Sequence, residues 1–518
     1  MYLCNPAVWH EDPESAFNVP LSPAKQAASA FVASQLECGQ DASGLEPPFS
    51  PQLDAISVPS HESANPSAYK TRPYITSPPS PVQVDLLSDV LGSQVHHLAE
   101  IQTWPNGWKT VLPTLVETVE GKPVNLLRHD SDRVRWMADP HNAVDDNGSI
   151  VKYLDHNCYN EIGDMLEDIH CLMSKGHVVV LSGAVPHMRK RITSLKHIIH
   201  DFGGGFNPEQ FLLNDGLSSW KQSRFHYPIK TQSHIENLLI TSWGLIHHAG
   251  VYTNVHQDSE GCNTTIEVAG DRRNPVPKIW GILTFTDPST PSKTRKDIFE
   301  MISRTCSLRS YTDDEDYKEP GGIWPLEDPQ WSEICKVELV YALPGDIIFQ
   351  PAGTLHLVFT PAMCVTHGGH FYSFDTMHLT EFTRALHVKA GEFVTNAIHE
   401  GIIETLVRML LALPDMTTRV FYKRSIASLC LMVLYPKLYE APGTKISNAI
   451  PYIKEARNIA RIVIREYLGI VSTNTIQKDL KNFISQSEDY RDPGEPFKLG
   501  MLLHNLAGHD KQKSCADK

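Results

Sequence analysis

The feature that most restricts this chain is a succession of short apolar runs between residues 235 and 374, each cut off by Gly, Pro, Asn or Asp. They fall at 238–240, 250–253, 264–268, 279–285, 337–341, 346–349, 355–359 and 370–374. Runs of this length, rich in β-branched and aromatic residues, are too short for helices and suit strands with one face on a core. So many at close spacing predict a sandwich or barrel. The polar interval 288–330, with its acidic run Asp313-Asp-Glu-Asp316, interrupts them and reads as a helix plus a long excursion with a solvated acidic face.

The flanks have a different texture. Residues 1–85 are rich in Pro, Ser and Ala and cannot bury enough apolar surface to offset their ordering entropy, so a disordered tail is expected there. Ser77-Pro-Pro-Ser-Pro81 reads as part of that tether. Residues 86–234 form a mixed, partly helical region leading into the core. Helical stripes run over 85–100, 159–174 and 193–201, Trp104-Pro-Asn-Gly-Trp108 makes a turn, and 177–181 makes a buried strand. Gly203-Gly-Gly205 is a loop, because no Lys-Ser/Thr follows to make a phosphate cradle. The strand-rich core is expected over 235–385. Helical stripes at 379–401, 402–413, 418–435 and 453–468 stop near Gly or Pro and predict a helical domain over 386–485. A polar tail is expected over 486–518.

Composition excludes several classes. With 60 acidic against 46 basic residues the net charge is -14, which disfavours a chain built to track phosphate backbones. Arg189-Lys-Arg191 is too short to act as a basic address. The ten cysteines include no CxxC pair, and His156, Cys158, His170 and Cys171 match no zinc spacing. Reduced thiols and an intracellular protein are expected. No apolar run reaches membrane-span length, and the N-terminus has no basic-then-apolar signal.

Within the strand-rich part, His256-Gln-Asp258 directly follows a strand-like run, and alternate residues of a strand share a face. His356 follows the Pro351-Ala-Gly353 turn, read as a hairpin that aims it inward. Two histidines and one carboxylate suit non-haem Fe(II) with coordination positions left open. Thr253 lies three residues before His256, deeper on the strand. Lys278, beside Ile279 and Trp280, sits on a strand with buried neighbours. His247-His248 lies on the strand leading to the site; one reading has it supporting the ligands from behind, and the preferred one is packed or exposed histidines.

In Thr253, His256, Asp258, Lys278-Ile-Trp280, His356 and Thr366-His-Gly-Gly-His-Phe-Tyr-Ser373, the chain resembles the JmjC-domain Fe(II)- and 2-oxoglutarate-dependent oxygenases. The likeness covers about residues 175 to 385 and is greatest to the F-box and PHD-finger subgroup of JmjC lysine demethylases. It implies an α+β fold: a jelly-roll, cupin-like double-stranded β-helix with flanking helices and a C-terminal helical domain. It implies Fe(II) on His256, Asp258 and His356, and 2-oxoglutarate with its distal carboxylate on Lys278 and Thr253. Dioxygen would be the oxidant, and a protein or peptide such as a histone tail the substrate, in the nucleus. Lysine demethylation, side-chain hydroxylation and a catalytically silent chromatin scaffold all remain open. The chain departs from the subgroup at Ile266, where a tyrosine is usual, at His370, where an asparagine is usual, and in a longer 270–277 loop. No PHD or CxxC zinc pattern accompanies it.

Overall fold

The short apolar runs become two antiparallel sheets laid face to face. The protein is represented by a computed structural model that describes residues 99–144, 148–160, 162–182, 243–269, 277–285, 295–306, 335–390, 394–395, 402–440, 452–471, 475–486 and 489–500. All of these belong to the unit Pro59–Lys518. The expected helices at 85–100 and 193–201, the run 238–240 and most of the 288–330 excursion lie wholly or largely outside them.

Two ribbons come first, β1 (Ile101–Thr103) with β2 (Lys109–Val111) and β3 (Val116–Val119) with β4 (Lys122–Asn125), then helix α1 (Arg128–Ala138). The Trp104–Trp108 turn joins β1 to β2, with the Gly107 amide donating to the Trp104 carbonyl. Next, β5 (Val151–Asp155) and β6 (Val178–Ser182) run parallel, joined through α2 (Ile162–Ser174). Eight strands follow: β7 (Trp243–His247), β8 (Val251–His256), β9 (Asn263–Ala269), β10 (Lys278–Phe285), β11 (Cys335–Ala342), β12 (Ile347–Gln350), β13 (His356–Thr360) and β14 (Cys364–Phe371). Helix α3 (Arg295–Cys306) lies between β10 and β11.

One sheet has the order β5-β6-β12-β9-β14-β7 and the other β11-β10-β13-β8. From β7 to β14 the chain alternates between them, except that β10 and β11 are neighbours in one sheet. The layer between the sheets is Ile266, Val268, Ile348 and Val180 from the first, against Trp280, Ile282, Val340 and Val358 from the second. Each such side chain, fully buried, contributes roughly 1.5–3 kcal/mol. The alternate residues of the same strands face outward. Ile279, Leu283, Val337, Leu357 and Phe359 meet Trp104, α1 and α3. Val179, Leu181, Ile347 and Phe349 meet Met165, Ile169 and Leu172 of α2. Gly281 permits this density: a Cβ there would lie 2.7 Å from Leu357 Cδ1 and 2.8 Å from Val337 Cγ2.

After β14 the chain is helical, with α4 (Met377–Ala390), α5 (Ile402–Ala412), α6 (Lys423–Leu434), α7 (Ile453–Glu466) and α8 (Ile476–Ile484). Arg424 to Val433 of α6 are all buried, so α6 is the axis around which the others pack. On α7, Ala456, Ile459, Ala460, Val463 and Ile464 form a stripe at helical spacing.

Three expectations change here. The stripe at 418–435 begins not as helix but as strand β15 (Val420–Tyr422), paired with β16 (Pro496–Lys498). The reason is aromatic packing: Phe421 is fully buried edge-on against Phe374 at 5.6 Å and opposite Phe497. Residues 489–500, read from their polarity as tail, therefore fold back onto the helices, and Leu499 is 1% exposed. The run at 370–374 straddles the end of β14 and a turn of 3-10 helix at Phe374–Thr376. The architecture is thus a mixed α and β one with antiparallel sheets. Among the described residues no helix is long and apolar enough to cross a membrane.

Candidate metal centre

His256 ends β8 and stands opposite His356 at the start of β13. His356 in turn pairs with Ile282, an interior residue of β10, so both imidazoles face the space between the sheets. Thr253 is three residues from His256, and simple alternation would turn it outward. A β-bulge between the His356 and Val358 registers corrects this: Thr253 lies opposite Val358, another interior residue. The bulge therefore gives Thr253 and both histidines one face.

Asp258 lies just beyond the strand rather than on it, because β8 stops at His256. It reaches the same point from the following turn, and the ligand atoms of His256, Asp258 and His356 all come within 4.8 Å of one another. The Pro351-Ala-Gly353 turn also differs from expectation. It is not a hairpin but a crossover, since β12 belongs to one sheet and β13 to the other. A hydrogen bond from the Gln257 side-chain amide to the Gly353 carbonyl, 2.7 Å, ties the two ligand-bearing segments together. Gly353 has φ +77°, and a Cβ there would meet Thr383 Oγ1 of α4 at 2.4 Å.

Each imidazole has its Nδ1 beside a backbone carbonyl, at 2.7 Å for His256 with Asn254 and 3.1 Å for His356 with Thr354. Donation from Nδ1 leaves Nε2 as the ligand nitrogen, the usual device for orienting a metal-binding imidazole. Thr264, inward on β9, donates its hydroxyl to the Asp258 carboxylate and lies 3.1 Å from His370 Nδ1. Burial works to raise the Asp258 pKa, but His356, His370 and His256 outweigh it with the Thr264 hydrogen bond, so the carboxyl is held below its ordinary value. Two imidazoles and a carboxylate, each oriented by a second group, form a donor set that fits a divalent transition metal.

Lys278 begins β10 on the same inner face as Trp280 and Ile282. It stands four residues, about 13 Å of strand, from the level of His356, with Thr253 between them. It is 2% exposed, and among the described residues no carboxylate pairs with it. Its ammonium contacts His247 Nδ1 and lies 5.4 Å from the centre of the Trp280 ring. Desolvation lowers its pKa to about 8. Desolvation, and then the nearby lysine, lower that of His247 to about 4, which keeps the imidazole neutral. Thr366, opposite interior Val268, carries a buried hydroxyl with no hydrogen-bond partner among the described residues.

Ile266 is 3% exposed and packs in the layer between the sheets, where it offers no polar group. The contact of His247 with Lys278 was not legible in the sequence, because an adjacent histidine pair carries no spacing signal. Only the pairing of β7 with β14 brings it to Lys278. The cysteine and histidine set read as non-zinc is dispersed: His156 Nδ1 lies 3.2 Å from the Ser182 carbonyl, and His170 pairs with Asp375 at 3.1 Å. Arg189–Arg191, Gly203–Gly205 and Asp313–Asp316 lie outside the described residues. No protein-family model matches this chain, and no curated protein matches it significantly.

Proposed function

We propose that this chain is a JmjC-type Fe(II)- and 2-oxoglutarate-dependent dioxygenase that acts on a protein substrate, removing N-methyl groups from lysine by hydroxylation. The observation that carries the proposal is the convergence of His256, Asp258 and His356 within 4.8 Å, between two antiparallel sheets. The strand order supports the corresponding fold, a double-stranded β-helix, because β7 to β14 give four strands to each sheet in alternation. Fe(II) held there would supply dioxygen activation coupled to oxidative decarboxylation of a 2-oxo acid.

The remaining work belongs to the chain. His256 and His356 would bind through Nε2, with Nδ1 engaged by backbone carbonyls. Asp258 would contribute an anionic oxygen, its other side held by Thr264. Lys278, a buried cation with no acidic partner among the described residues, would receive the distal carboxylate, with the Thr253 hydroxyl on the way. The apolar layer of Ile266, Trp280, Ile282 and Val358 would limit water around the reacting groups. N-methyl-lysine as the acceptor, and a histone tail in the nucleus as its source, follow from the sequence resemblance.

Incubation with Fe(II), 2-oxoglutarate and a panel of methylated histone peptides tests this. Succinate and formaldehyde should appear together and be lost in Asp258→Ala. Succinate with an alcohol product and no formaldehyde would favour a side-chain hydroxylase. No succinate under any condition would leave a scaffold.

A further inference from the structure

The contact between Lys278 and His247 has a chemical consequence. The Lys278 ammonium can only donate, so the His247 Nδ1 facing it must accept, and the ring proton then sits on Nε2. A neutral imidazole fixed in this tautomer is a hydrogen-bond donor with its other edge. Register puts His247 on the inner face: it is opposite Cys364, two residues along β14 from Thr366, which is opposite interior Val268. Lys278, His247 and Thr366 thus converge on one end of the space between the sheets, beyond Thr253 as seen from the triad. Two of these buried groups have polar capacity left over among the described residues: the Lys278 ammonium has no carboxylate partner, and the Thr366 hydroxyl has no hydrogen-bond partner. Ile266, across the same space, supplies no donor.

We infer that His247 is the second arm of the seat for the co-substrate's distal carboxylate, donating from Nε2 to one oxygen while Lys278 holds the other. This rests on the function proposed above. It assigns His247 a binding role that makes the site selective for a dicarboxylate 2-oxo acid over a monocarboxylate one. The low pKa of the imidazole supports it, because a neutral ring keeps an acceptor for the lysine across the neutral range.

The test is calorimetric titration of the full chain, loaded with Mn(II), with 2-oxoglutarate and with 2-oxobutanoate, which lacks the distal carboxylate. The wild type should prefer 2-oxoglutarate. His247→Ala should lose about tenfold in affinity for 2-oxoglutarate and none for 2-oxobutanoate. His247→Asn keeps an acceptor for Lys278 but lacks a donor at the Nε2 position, so it should lose as much. His247→Gln, whose amide N–H reaches that position, should recover part of the preference. Because each protein is its own control through the ratio of the two ligands, a partly unfolded variant cannot imitate this pattern. Wild-type preference in His247→Ala, with the preference lost in Lys278→Ala, would overturn the role of His247 and leave the site standing. A wild type that binds the two acids equally would overturn both.

Discussion

At Asp258 two effects oppose each other. Burial alone would favour the neutral acid, but three histidines and the Thr264 hydroxyl keep the carboxylate charged. Asp258 is therefore a buried carboxylate, and a bound cation would stabilise its charged form further. Thr264→Val removes the hydroxyl with little change of shape. Affinity for Mn(II), measured by titration calorimetry, should fall 10- to 100-fold, as for other groups that orient a ligand; an unchanged affinity would mean that Thr264 is incidental. Gly353→Ala forces a Cβ against Thr383 at positive φ, and should lower stability by about 1–3 kcal/mol in urea unfolding. What the sequence made legible at this scale was the donor types, His256, Asp258 and His356, and the buried lysine. Their geometry was not legible. Thr253 faces inward only because of a bulge, Asp258 lies off the strand, and His247 reaches Lys278 through a partner strand that no local pattern specifies.

Elements join the site to the helices behind it. Helix α4 covers the ligand turn, with Thr380 Oγ1 donating to the Gly261 carbonyl at 2.8 Å. On the same helix His378 Nε2 donates to the Arg491 carbonyl at 3.0 Å, and Nδ1 lies 2.8 Å from the Ser425 hydroxyl. Full burial lowers the His378 pKa to about 3. The unfolded chain takes up this proton near pH 6.5 and the folded chain only near 3, so the unfolded state binds more protons between them. Stability should thus fall as pH drops below 6.5, by up to about 1.4 kcal/mol per pH unit from this group. Urea midpoints measured at pH 7 and at pH 5 check the sign, and equal midpoints would contradict it. Alternation of apolar residues made most strands and helices readable in the sequence. The crossover at 351–353 and the β15–β16 pair were not, since each depends on a partner distant in the chain.

For the whole molecule, the two sheets and the helical layers make a frame in which the triad and Lys278 occupy two levels of one interior. A metal that binds the folded chain and not the unfolded one must stabilise it. At a hundredfold excess over Kd, Mn(II) should add about 2.7 kcal/mol, seen as a higher Tm than in chelator, and the increment should vanish in Asp258→Ala. The net charge of -14 adds a general attraction for cations, so the variant is the necessary control. The most direct test of the central claim is anaerobic titration of the Fe(II)-loaded chain with 2-oxoglutarate, followed by visible absorbance. Chelation of the 2-oxo acid to iron should produce a saturable charge-transfer band in the wild type and none in Asp258→Ala. A wild-type chain that binds Fe(II) at His256, Asp258 and His356 but develops no band would contradict the account.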